Sequence, residues 1–173
     1  LVETYFIWFV CYSVLGWVYE TILCSTLERR FISRGFLNGP YCPIYGFGAI
    51  LVIAVLGDVD NIAALFLSGV VLTCSLEYVT SWGMEKLFYA RWWDYSDKKW
   101  NINGRICLLG AEAFGSFSVL LIKGIHPPVA QLIGRIPRNF MHYGSLFLFL
   151  LLLADSFYTI LSVSDFDQKL KEL

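Results

Sequence analysis

The sequence predicts an all-α fold, a polytopic transmembrane helix bundle of about five spans forming a single domain over residues 1–173, and three observations carry that expectation. Hydrophobic residues fill 57% of the 173 positions and charged residues only 16%, with a mean hydropathy of +0.62, far from soluble averages. The apolar residues come in long runs, and a bilayer core about 30 Å thick takes roughly 20 helical residues to cross. Lysine and arginine gather in alternate connections between those runs.

Five runs read as spans, near residues 3–27, 41–56, 62–84, 106–122 and 141–163. The first follows Leu1 without a basic leader or a small-residue cleavage site, so it reads as a retained helix rather than a signal peptide. The second is short and opens on Gly39-Pro40-Tyr41-Cys42-Pro43-Ile44-Tyr45-Gly46, where two prolines and two glycines suggest a broken or re-entrant start. Four spans plus an interfacial helix is therefore the alternative count. Ala111 and Gly115 in the fourth run have the small-residue spacing of close helix packing, and His126-Pro127-Pro128 after it reads as a loop breaker.

The connection after the first run holds Arg29, Arg30 and Arg34, the one after the third holds Lys86, Arg91, Lys98, Lys99 and Arg105, and the tail holds Lys169 and Lys171. By the positive-inside rule these face the cytoplasm, with the N-terminus outside and the C-terminus inside. Lys123, Arg135 and Arg138 are the minority on the outer side, so ten of the 13 basic residues fit an odd number of spans.

Several function classes are excluded or disfavoured. A net charge of −1 gives nucleic acid no purchase. The five cysteines form no C-x-x-C pair, and the two histidines, His126 and His142, fall on the outer side, so no metal site or Ser-His-Asp chemistry is expected and no cofactor is implied. The Glu-x-x-His motif of di-iron bundles is missing. There is no G-x-x-x-x-G-K-[ST] either, so this stretch of sequence cannot by itself be the motor of an ATP-driven pump.

An internal repeat is also legible. Glu20, Glu28, Arg29, Phe31 and Arg34 fall on Glu77, Glu85, Lys86, Phe88 and Arg91 at one offset, and Asn38-Gly39-x-x-Cys42 falls on Asn103-Gly104-x-x-Cys107 after eight extra residues. This suggests two parallel two-helix repeats with a fifth helix added.

Charged side chains inside spans cost several kcal/mol and face a bundle interior, a cavity or a partner. Glu20, Glu77, Glu112 and Asp155 are such residues, each about seven to ten residues from a cytoplasmic end, or roughly 10–15 Å deep. Glu77, Ser81 and Glu85 share one helical face, as do Tyr12, Gly16 and Glu20. These acids must be protonated, bound to a cationic solute, or paired with arginines that reach in from the loops: Arg34, Arg91 or Arg105. Arg105 lies two helical turns before Glu112 and is placed to point toward it. One reading makes the acids interhelical ties, and the other a binding or proton-handling site open to the cytoplasm.

The two basic loops interleave aromatics with polar groups, in Arg30-Phe31-Ile32-Ser33-Arg34-Gly35-Phe36-Leu37-Asn38 and in Arg91-Trp92-Trp93-Asp94-Tyr95-Ser96 leading to Asn101, Asn103 and Arg105. An aromatic belt touching membrane lipid accounts for the rings and arginines. It does not require Asp94 and Asn103, which could line a pocket mouth. The candidate binding residues are therefore Glu20, Glu77, Glu112, Asp155, Arg34, Arg91, Arg105, Trp93, Asp94, Asn103 and Tyr45.

The same segments carry a resemblance. Gly16-Trp17 with Glu20, Arg34-Gly35-Phe36-Leu37, Gly39-Pro40 leading to Cys42-Pro43-Ile44-Tyr45-Gly46, Glu77-Tyr78, Met84-Glu85, Trp92-Trp93-Asp94-Tyr95-Ser96 and Asn103-Gly104-Arg105 together resemble the ABC-transporter type IV family of bacterial membrane proteins, mostly from Firmicutes. The resemblance covers nearly the whole chain and implies a permease-like component whose ATPase is a separate chain. The Trp-Asp-Tyr…Asn-x-x-Gly pattern is also similar, over one loop only, to membrane enzymes of carotenoid hydration and cyclisation.

The expected function is thus a transport component that takes an unidentified small-molecule solute into a polar, acidic, cytoplasm-facing site, as a homo-oligomer or with a partner membrane or ATPase subunit. The alternatives are a membrane-embedded enzyme on a lipid or isoprenoid, with Glu20, Glu77 or Glu112 as general acid, and a non-catalytic scaffold or sensor subunit.

Overall fold

A computed structural model describes residues 1–171, with side chains to residue 163. Six α-helices account for most of it: α1 (Val2–Glu28), α2 (Pro43–Leu56), α3 (Ile62–Phe88), α4 (Leu108–Leu120), α5 (His126–Gly134) and α6 (Arg138–Lys171). A π-helical turn over Leu121–Ile125 joins α4 to α5, and two short strands, β1 (Asn101–Ile102) and β2 (Ile106–Cys107), precede α4. Four stretches are long and apolar enough to cross a membrane, Val2–Glu28, Ile62–Phe88, Leu108–Gly134 and Arg138–Val163, with Pro43–Leu56 as a shorter apolar helix. This is the helical transmembrane class that the composition predicts. Lys169 and Lys171 lie outside the residues whose side chains are described.

The fourth span corrects one expectation. Pro127 and Pro128 do not break the chain, and they fall in the first turn of α5, directly after a change of helical pitch. The preceding turn widens to the π pattern, His126 N–H reaching back five residues to Leu121 O. The helical run therefore continues to Gly134 instead of ending near residue 122.

The chain forms two compact units, residues 1–46 with 135–173, and residues 47–134. In the first, α1 and α6 run in the same direction. Glu3 meets His142 at 2.5 Å near both helix starts, and Phe6 meets Phe149 with ring centroids 6.1 Å apart. The connection from residue 29 to 42 then folds back along α1 instead of leaving it. Ile32 N–H donates to Ser25 Oγ (2.9 Å), Arg34 N–H to Thr21 Oγ1 (3.4 Å), and Cys42 N–H to the Ser13 carbonyl (2.9 Å). From Glu28 to Ser13 the fold-back covers about 22 Å of helix at 1.5 Å per residue. Helix α2 thus starts alongside the middle of α1. Irregular backbone at membrane depth needs partners for its polar groups, and α1 supplies them from Ser25, Thr21 and Ser13.

Glycine permits the close approach where α2 meets α1. A Cβ on Gly16 would overlap the Tyr45 ring, and one on Gly46 would meet Ser13 and Phe9. Gly16→Val is expected to cost about 1–3 kcal/mol by overpacking. The check is a lowered thermal midpoint in detergent, with Ala at the same position giving a smaller loss.

The second unit is built around α3 and α4. Gly69 lies against Ser118, and Gly115 against Phe66 and Val70, so the helices pack at small residues. Gly115 makes this contact as its spacing suggests. The buried stripe of α3 runs Leu65, Gly69, Cys74, Glu77, Ser81, passing from apolar to polar toward the loop end. There, residues 89–107 fold back onto α3 as the 29–42 segment does onto α1. The strands pair antiparallel, Asn101 with Cys107 and Ile102 with Ile106. Their turn places Asn103 (φ 53°) and Gly104 (φ 68°) in the left-handed region, with Arg105 N–H bonded to Ile102 O (3.0 Å). That is the primed turn which Asn-Gly favours in tight hairpins.

Candidate functional site

In the first unit the folded-back segment organises two carboxylates of different character. Glu20, on the α1 face shared with Tyr12 and Gly16, accepts a 2.5 Å hydrogen bond from Tyr45 OH at its Oε1. Arg34 Nε stands 3.7 Å from its Oε2, and both side chains keep solvent access, 41% for Arg34 and 26% for Glu20. The Cys24 thiol lies 3.8 Å from the same oxygen. This is a loose ion pair on a well-placed carboxylate.

Asp155 on α6 is saturated instead. Gly39 N–H (2.9 Å) and Tyr41 OH (2.5 Å) donate to Oδ2, while Asn38 Nδ2 (3.2 Å) and Thr159 Oγ1 (3.5 Å) reach Oδ1. Asn38 also donates to Thr159 (2.8 Å), so the tip of the folded-back segment is tied to one turn of α6. No arginine takes part in these bonds.

The second unit gathers Glu77, Ser81 and Glu85 on one face of α3, as their spacing predicts, and closes the loop over them. Glu77 is buried, 5% exposed, and Tyr95 OH lies 3.4 Å from its Oε1. Arg105 is buried as well, donating to Ser81 Oγ (3.1 Å) and pairing closely with Glu85. Its guanidinium also sits 5.6 Å from the Tyr78 ring centre. Arg91 Nε meets the other Glu85 oxygen at 3.1 Å, so two guanidinium groups converge on one carboxylate. Trp93 donates its indole N–H to Arg105 O (3.0 Å), and Asn103 Nδ2 donates to Tyr78 OH (2.8 Å), so both residues shape the loop.

Asp94 accepts from Ser96 N–H (3.0 Å) and Ser96 Oγ (2.5 Å), with Arg91 at 3.9 Å. The expected contact between Arg105 and Glu112 is not made. The hairpin turns Arg105 toward α3, while Glu112 is exposed on α4 with no side-chain hydrogen bond or ion pair among the described residues. Among the described residues no group of three or more His, Cys, Asp or Glu side chains could hold a metal ion.

A sequence model of the family described as "Putative ABC-transporter type IV" matches residues 7–160. The chain belongs to this family. No curated protein and no solved structure matches it. Family and apolar helices together mark this ABC-transporter type IV chain as a transport-related membrane protein.

Sequence reasoning missed several residues that hold these clusters. Glu85 was assigned a shared face but no partner, although it takes both Arg91 and Arg105. Asn38, Tyr41 and Tyr95 stood within recognisable motifs but with no partner assigned, and Thr159 carried no signal, because their roles depend on fold-back distances that spacing does not encode. The Asn103-Gly104 pair was a legible hairpin signal.

The Asp94 carboxyl is held below the usual carboxylate range, first by the Ser96 hydroxyl, then by the Ser96 N–H, with Arg91 adding to it. A depressed folded value means that its contribution to loop stability is present above about pH 4 and is lost as pH falls through the folded value. Ser96→Ala is expected to bring the Asp94 titration back toward the ordinary range, read from the Asp94 carboxyl carbon shift against pH.

Proposed function

We propose that this chain is the permease-like membrane component of a transporter, and that the loosely paired Glu20 and Arg34, with Tyr45, bind a small polar solute bearing a cationic group. The observation that carries the reading is a contrast among the charged clusters. Asp155 has its oxygens filled by four donors, and Arg105 is buried against Ser81 and Glu85, so neither has capacity left for a ligand. Glu20 on α1 and Arg34 on the segment folded back along it stand 3.7 Å apart, both partly exposed. A cationic group can take the Arg34 side of Glu20 while Tyr45 keeps the carboxylate in place.

The positive-inside rule, applied to the basic loops, supports a cytoplasm-facing site with the N-terminus outside. The resemblance of the two fold-backs supports the repeat. Each follows a 27-residue helix capped by a left-handed residue, Arg29 or Tyr89, and each ends on a buried cysteine, Cys42 or Cys107. Energy would come from an ATPase on another chain, and a homo-oligomer or partner subunit would complete the pathway.

Native mass spectrometry of the detergent-purified protein tests the reading. Wild type should carry a small polar ligand that Glu20→Gln removes, with the thermal midpoint unchanged within about 2 °C, the range of a surface substitution. Glu77→Gln run alongside reports whether the buried acid of the second unit contributes. A polar ligand that survives Glu20→Gln, a lipid-like ligand in its place, or no ligand at all would overturn the proposal.

A further inference from the structure

A groove of about 610 Å³ runs along the second unit, between one face of α3, the β1 strand and the start of α4. Its walls are almost wholly apolar, with Val71, Cys74, Tyr78, Trp100, Ile102 and Ala111 among them. The α3 residues from 70 to 79 give it a length of about 14 Å. Its volume is within the roughly 300–1,000 Å³ of small-molecule sites, and it lies on a span, where the surrounding solvent is hydrocarbon.

Two features distinguish it from an ordinary lipid-facing surface. Trp100 holds a left-handed backbone (φ 57°), an uncommon state for a bulky residue, with its carbonyl fixed by Leu108 N–H at 3.1 Å while the residue is 81% exposed. Strain of this kind persists where a position is held for a purpose, here an aromatic ring kept at the groove rim. Directly before it stand Lys98 and Lys99. Lys98 is 3.6 Å from Asp97, and Lys99 makes no ion pair or side-chain hydrogen bond among the described residues. An apolar channel on a span is thus lined by Trp100, which two exposed lysines precede directly in the chain, and hydrocarbon next to positive charge is what an anionic phospholipid matches.

We infer that this groove is a specific site for one anionic phospholipid, with an acyl chain lying along α3 under Trp100 and the headgroup phosphate at Lys98 and Lys99. The site is distinct from the Glu20 cluster and does not depend on its being a solute site.

The test adds dioleoyl phosphatidylglycerol or dioleoyl phosphatidylcholine to the full chain in detergent and reads retained lipid by native mass spectrometry. Wild type is expected to keep one phosphatidylglycerol in preference to phosphatidylcholine. Ala111→Phe, which fills the groove, should lower retention of both at least about tenfold, and Trp100→Ala, which removes an 81% exposed ring, should lower it severalfold. Lys98→Gln with Lys99→Gln should abolish the preference for phosphatidylglycerol while leaving phosphatidylcholine retention as it was. Leu151→Phe, on an exposed part of α6, should change nothing. Equal retention in wild type and Trp100→Ala, no headgroup preference in wild type, or an equal loss in Leu151→Phe would each overturn the assignment.

Discussion

Asp155→Ala is expected to destabilise the protein by about 3 kcal/mol, the cost of stranding two or more poorly solvated donors. Among the described residues the carboxylate is the only acceptor for the Gly39 N–H and the Tyr41 hydroxyl, and it also holds Asn38. Water could replace it at a soluble surface, but α6 is apolar at this depth and the folded-back segment has no ladder of its own. Asp155→Asn keeps the shape but turns one acceptor into a donor, so it should fall between wild type and Ala. The measurement is the thermal midpoint together with limited proteolysis, cleavage of residues 35–42 rising in Ala before global unfolding. An unchanged midpoint and cleavage pattern in Ala would show that the anchor is dispensable.

Physical reasons separate what the sequence made legible from what it did not. Spans depend on composition over 20 residues, so their class and number survive local irregularity. The irregular start of the second run was legible for the same reason, since 14 apolar residues behind two prolines are too few to cross alone, and the chain there folds back along α1 before the helix begins. Shared helical faces were legible because 3.6 residues per turn is a fixed period, and Glu77, Ser81 and Glu85 do face one loop. Contacts between elements were not. Extrapolating Arg105 toward Glu112 assumed that the helix begins before Arg105, but β2 intervenes and the primed turn at Asn103-Gly104 aims the side chain at α3. Likewise Pro127-Pro128 reads as a break unless the π turn before it is anticipated, and no local sequence rule supplies that. The acids illustrate the limit best: all four were identifiable as costly residues, but saturation at Asp155, loose pairing at Glu20, burial at Glu77 and exposure at Glu112 follow from tertiary placement.

Arg105→Leu is expected to cost about 3 kcal/mol, the low end for removing one partner of a buried pair. The low end applies because Glu85 stays about one-third exposed and keeps Arg91 at 3.1 Å, whereas Ser81, 4% exposed, loses its donor. Leucine would fill part of the volume and add apolar contact with Tyr78, but it cannot satisfy the hydroxyl and the carboxylate together. Arg105→Lys separates charge from geometry. It keeps one positive charge near Glu85 but lacks the planar fork that reaches Ser81 at the same time, so it should recover part of the loss. If the pair is structural, Glu85→Gln should lower the thermal midpoint less in the Arg105→Leu background than in wild type, because only the pair with Arg91 is then left to lose. If Arg105→Leu instead leaves the midpoint intact and removes solute binding, the buried guanidinium belongs with the ligand contacts, and the division between locked and loose clusters that singles out Glu20 and Arg34 fails.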